Sequence, residues 1–216
     1  MTLGTTPPSS AKHRGRPKVI SDDQQRDRIV AQAFDLFCDR GYSGMNMDEV
    51  AARCRISKKT LYRLFPSKLE LTGAIVDVHR QSMIDIRPEW DHLPLVEALQ
   101  RMFRVDIDEE ADRARIAFVR VVMVDSVAFP ELRSLVETRG RDSTHAMIAS
   151  WLKRQQALGR VDVEDAAVSA RVLLDVAFST LAAAAGHKWE WPAFPDWRIY
   201  LRRAFTLIAK GLEPRP

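Results

Sequence analysis

One stretch, MNMDEVAARCRISKKTLYRLFPSKL from Met45 to Leu69, limits what this chain can fold into more than any other. It reads as two short helices joined by a tight turn, with a third helix starting just beyond. Asn46 is placed to cap the first helix, and Glu49 three residues later would complete a capping box. Met47, Val50, Ala51 and Cys54 recur at helical spacing. Ser57 caps the second helix, and Ile56 before it can staple onto Leu61. Pro66 stops that helix, and Ser67 with Glu70 forms the pattern of another capping box. Only Arg55, Ile56 and Ser57 separate the two helices, which is helix-turn-helix spacing. The second helix turns Lys58, Lys59, Thr60, Tyr62 and Arg63 outward and Leu61, Leu64 and Phe65 inward. A basic, hydroxyl-bearing outer face on an apolar inner face suits entry into a DNA major groove.

Residues 56–71, ISKKTLYRLFPSKLEL, resemble the recognition-helix signature of the tetracycline-repressor (TetR) family of bacterial regulators. The segment from about Ser21 to Val50 resembles the helices that precede it in that family. The pieces AFPELRSLVETRG and ASWLKRQQALGRV resemble one effector-domain subtype of the same family. Arg55 stands where the family usually has glycine. A left-handed Arg55 would store about 1 kcal/mol of strain.

The resemblance implies a homodimer on a palindromic, double-stranded operator, with Asn46 and Met47 at the start of the bracing helix. Lys58 and Lys59 lie at the N-terminus of the reading helix, where base contacts concentrate. Ser57 belongs to the same DNA-facing set, Thr60 can meet a thymine methyl or a phosphate, and Tyr62 and Arg63 suit phosphate oxygens. Lys68, in the first turn of the following helix, can hold a further phosphate beside free backbone amides.

Charge supports this placement. Residues 1–68 carry 13 Lys and Arg against 7 Asp and Glu, whereas the remainder carries 20 against 22. Cations are therefore concentrated where phosphates would be neutralised. Residues 1–20 are rich in Pro, Ser, Thr and Gly and read as a disordered basic arm. Within the arm, Arg14-Gly15-Arg16-Pro17 resembles the core of an AT-hook. Arg14 and Arg16, with Lys18 after them, suit a narrow A·T-rich minor groove.

Residues 21–66 read as the DNA-binding head, and 67–216 as a helical ligand-binding and dimerisation body. Further helices are predicted over 22–40, 67–86, 93–108, 111–128, 130–157, 163–185 and 195–211. No alternating strand pattern or hairpin signal is present, so the fold class is all-α. Arg120 and Asp125 interrupt the longest apolar run, which is too short for a membrane span. The N-terminus lacks the apolar core of a signal peptide, and a bacterial cytoplasmic, nucleoid-associated location is expected. Cys38 and Cys54 fall on apolar helix faces and read as core rather than disulfide.

Polar residues inside apolar runs suggest an effector pocket. Arg120, His145 and Asp175 would be its anchors, and Met83, Phe103, Met123, Trp151 and Phe178 its walls. An Arg120–Asp175 salt bridge in an ordinary core explains two of these equally well. The last two helices offer the dimer surface, through the small residues Ala182 to Ala185 and the bulk of Phe205, Leu207 and Ile208. Trp189, Trp191 and Trp197 would cover an edge of the body or the dimer seam. No phosphate loop, nucleophile elbow or metal-ligand spacing is present, so neither catalysis nor a cofactor or metal is expected. The expected function is a repressor released from its operator by a small hydrophobic ligand. The alternative is a DNA-binding regulator without such a switch, answering to a protein partner or acting architecturally.

Overall fold

A computed structural model describes residues 21–184 and 196–214. Among the described residues the regular structure is entirely helical. None of these helices is long and apolar enough to cross a membrane.

Helix α1 (Asp22–Gly44) begins at a true capping box, in which Ser21 and Gln24 exchange side-chain and backbone bonds. It breaks at Gly41, whose φ of 74° and ψ of −179° few residues other than glycine adopt. Helices α2 (Met47–Arg53) and α3 (Lys58–Leu64) follow. Between them Arg55 has φ 53°, the left-handed conformation that a glycine would hold without strain. The capping box expected from Asn46 and Glu49 does not form. Asn46 instead accepts from the Asp48 amide at 2.9 Å, and Glu49 is drawn to Arg40 (2.6 Å) and Arg53 (3.4 Å). The longer-range ion pairs outcompete the local bond.

Helix α4 (Lys68–Met83) starts at Ser67, whose hydroxyl accepts from the Glu70 amide, and stops short of the expected Ile86. Then come a 3₁₀ turn (Pro88–Trp90), α5 (Leu95–Met102) and α6 (Glu109–Ala128). The single helix expected over 130–157 is three pieces. Helix α7 (Pro130–Leu135) runs into a π-helical turn (Val136–Asp142), and α8 (Ser143–Ala157) continues from it. Gly140 in the turn packs against Val76 of α4, and Arg139 lies against Gly73. This close approach accompanies the change of helical pitch, a departure often found at functional sites. Helices α9 (Ala166–Ala184) and α10 (Trp197–Leu212) complete the described body.

Two apolar cores result. The first joins α1 to α4 with Phe118, Val119 and Val122 of α6 and Leu132 of α7. The second is built from α5, α8, α9 and α10 around Trp151, Leu99 and Phe205. Phe205 is thus core rather than dimer surface, while Leu207 of the same helix stays exposed. Ala182 is likewise buried. Trp189 and Trp191 lie outside the described residues.

Candidate nucleic-acid interface and effector cavity

Helix α3 is anchored by Leu61, Leu64 and Phe65, all buried in the first core. The Ser57 hydroxyl accepts from the Thr60 amide (3.1 Å) and fixes the start of the helix. Anchoring one face leaves the other to solvent. Lys58, Lys59, Tyr62 and Arg63 are exposed, Tyr62 to 46%. Two of these cations are held by carboxylates of the head itself. Lys58 Nζ lies 2.6 Å from Asp48, and Arg63 forks onto Asp22 at 2.6 and 2.7 Å. The hydrogen bond that Asp22 accepts from Arg63 lowers the Asp22 pKa, and the one that Lys58 donates to Asp48 raises the Lys58 pKa. Both pairs are fully exposed and easily exchanged for phosphate contacts in salt solution. Among the described residues Lys59 has no ion-pair partner, so it stands ready for an external acceptor.

Two residues expected at this surface sit differently. Met47 is only 7% exposed and its side chain belongs to the head core, because the first turn of α2 rests on α1. Lys68 leans back, donating to the Ser43 carbonyl (3.2 Å) and lying 4.5 Å over the Tyr42 ring. Partial burial there lowers its pKa. Arg14, Arg16 and Lys18 lie outside the described residues.

The body holds a partly open cavity of about 320 Å³ between α4, α6, the π-helical turn and α9. Its wall includes four of the residues expected for a pocket, Met83, Phe103, Asp175 and Phe178. The other four lie elsewhere. Arg120 is exposed on α6, and Met123 packs against the first core. His145 bonds the Ala167 carbonyl at 2.8 Å. Trp151 is core, with its indole N–H donated to Asp91 (3.2 Å). The Arg120–Asp175 pair is not formed, since Asp175 takes Arg171 one turn earlier on its own helix at 2.7 Å.

Beside Asp175, the cavity is lined by two buried polar residues that the sequence reading passed over, His79 and Arg115. His79 is 5% exposed, with its ring centroid 3.7 Å from that of Phe118 at an interplanar angle of 30°. Burial, with the nearby Arg115 cation adding to it, pushes its pKa down to about 3, so the ring is neutral. Arg115 is 2% exposed, and its guanidinium bonds Asp112 at 2.7 Å. Both residues lie on apolar stripes, His79 after Ile75 and Val76, and Arg115 before Phe118, Val119 and Val122. A polar residue in register with a buried stripe was the available signal.

Cavity and head share supports. Val76, His79 and Met83 of α4 border the cavity, and the same helix starts four residues after α3 ends. Helix α6 contributes Phe118, Val119 and Val122 to the wall, and one turn later Asp125 accepts from the Tyr42 amide at 2.5 Å. Arg139 of the π-helical turn reaches Asp77 (3.2 Å) and Glu70 (3.6 Å) of α4.

Comparison with known proteins agrees with this architecture. Residues 29–75 match the profile described as bacterial regulatory proteins, tetR family. Residues 97–196 match the C-terminal domain of AefR-like transcriptional repressors. The HTH-type transcriptional activator FasR of Mycolicibacterium smegmatis is 28% identical over 149 residues, which cover 67% of this chain and 65% of FasR. The chain therefore spans just under two-thirds of that relative. Among solved structures, a TetR-family regulator from Rhodococcus sp. superposes with a TM-score of 0.71 at 17% identity, covering 87% of this chain and 99% of that one. The flavonoid-responsive regulator FrrA has a TM-score of 0.61 at 25% identity, covering 90% and 100%. With profile matches on both the head and the body, and the same fold in solved members, the chain belongs to the TetR family of bacterial regulatory proteins.

Proposed function

We propose that this chain is a cytoplasmic, homodimeric, sequence-specific DNA-binding transcriptional regulator whose operator affinity is set by an apolar small molecule in the body cavity. The observation that carries the reading is the dual role of α4, which borders the cavity with Val76, His79 and Met83 and leads directly into α3. Two recognition helices must stand about 34–36 Å apart to enter successive major grooves. A ligand favouring another spacing lowers operator affinity by its differential affinity for the two states. Named relatives support both signs of regulation, with an activator in FasR and repressors in the matching C-terminal profile. The working assignment is a repressor released by its ligand, and FrrA is a relative whose name records a small-molecule response. A cavity of this size supports that reading over a switchless regulator. Dimerisation is assigned to the outer faces of α9 and α10, where Val168, Val172, Ile199 and Leu207 are exposed.

Selection of binding sites from genomic fragments, followed by footprinting, identifies the operator on which the reading is tested. On that operator Lys59→Ala and Tyr62→Ala are each expected to weaken binding about ten- to hundredfold with little change in melting temperature. Mobility shift and thermal unfolding measure the two effects. Wild-type affinity in either variant would reject α3 as the reading helix in this register.

Removing residues 1–18 is expected to flatten the salt dependence of binding, by up to about 0.9 in log–log slope for each lost phosphate contact. An unchanged slope would reduce the arm to a solubilising tail.

A further inference from the structure

The cavity wall is apolar in surface but not in charge. Four arginines border it, Arg80, Arg115, Arg141 and Arg171, against two carboxylates, Glu137 and Asp175. Those carboxylates are taken at the rim, Asp175 by Arg171 (2.7 Å) and Glu137 by Arg141 (3.8 Å). Arg115 pairs with Asp112, which it shares with Arg198 (3.1 Å), and its guanidinium lies 4.9 Å over the Trp197 ring. Arg80 directs one guanidinium nitrogen to the Met147 sulfur at 3.1 Å, a weak acceptor. Three buried nitrogens on these walls have no hydrogen-bond partner: His79 Nε2, Arg80 Nε and Arg115 Nε. Buried polar nitrogens without partners are costly, and three on residues that line one cavity favour a polar group supplied from outside the chain.

Resting on the reading of this cavity as the effector site, we propose that its ligand is an apolar monocarboxylate whose carboxylate is held by Arg115 and His79. A guanidinium offers planar paired donors that match a carboxylate, and His79 supplies a further N–H in the appropriate tautomer. The burial of His79 and Arg115 strengthens a charge-assisted bond of this kind. The surplus of positive charge on the wall selects an anion over a neutral or cationic analogue. At roughly 30 Å³ for each water-sized group, the cavity holds about ten such groups, which suits a body of that many carbons. Val119, Val122, Leu174 and Leu201 provide its aliphatic lining.

Isothermal titration of the intact protein with decanoate, 1-decanol and decyltrimethylammonium, in dilute monomeric solution, separates charge from apolar fit. Decanoate is expected to bind at least tenfold more tightly than decanol, and the ammonium most weakly. His79→Phe, which keeps an aromatic ring against Phe118, and Arg115→Met are each expected to erase the preference for decanoate. Equal binding of decanoate and decanol would overturn the carboxylate inference and leave the cavity reading standing. A preference that survives both substitutions would overturn the assignment to Arg115 and His79. Failure of all three compounds, and of a wider hydrophobic panel, would remove the cavity reading and this inference together.

Discussion

Asp112→Ala is expected to lower folding stability by about 3–5 kcal/mol, the usual loss when one partner of a buried ion pair is removed. Asp112 sits in the first turn of α6, where its carboxylate also complements the helix N-terminus. One oxygen lies 2.7 Å from Arg115 and the other 3.1 Å from Arg198, and neither Asp112 nor Arg115 is appreciably exposed. Burial lowers the Arg115 pKa and the Asp112 hydrogen bond opposes it, yet an arginine does not lose its proton in such a site. Without Asp112 the buried cation has no counterion. The double variant Asp112→Asn with Arg115→Met removes both charges and is expected to recover most of the loss. Urea unfolding of the three proteins measures this, with an unchanged m-value securing the comparison. A single variant within about 0.5 kcal/mol of wild type would show that the cluster contributes no stability.

Gly41→Ala is the second large effect, at about 3 kcal/mol. The φ of 74° with ψ near 180° strains a side chain by about 1–3 kcal/mol. An alanine Cβ would also meet an Asp125 carboxylate oxygen at 2.6 Å. That oxygen accepts from the Tyr42 amide, so relieving the clash disturbs a bond between head and body. In a protein of this size the melting temperature should fall by roughly 6–12 °C. Gly211→Ala is the control, because nothing lies within 4 Å of its added Cβ. A Gly41→Ala protein that melts like wild type would mean that the chain does not turn here as described.

The residues legible in the sequence are those whose partners lie within a turn. Ser21, Ser57 and Ser67 bond amides three residues on, and each helix starts where its cap implies. The apolar stripes of α1, α3 and α4 are likewise local, since a 3.6-residue period places them on one face before anything packs against it. This was enough to identify the head, its outward cations and an all-α body. The reading faltered where a distant competitor was stronger than the local partner. Glu49 left its capping box for Arg40, and Lys68 folded back onto Tyr42. Asp175 illustrates the reverse, taking Arg171 on its own helix where a cross-helix pair was expected. Cavity residues fared worst. Trp151, Met123 and His145 have the composition of a binding wall, but which side of a helix meets empty space depends on how its neighbours fill the volume.

By itself, then, the sequence determined the all-α class, the capped helix starts of the head, the turn between α2 and α3, and the basic face that α3 presents, because caps and periodicity act over three or four residues. Tertiary structure alone decided which buried polar groups meet. It brought Asp112 to Arg198 across 86 positions and Asp125 to Tyr42 across 83. It also set His79 beside Arg115 at a cavity that α4, α6 and α9 border together. Those encounters carry no local signature, since the energy of a buried charge or an unfilled space depends on what surrounds it from every side.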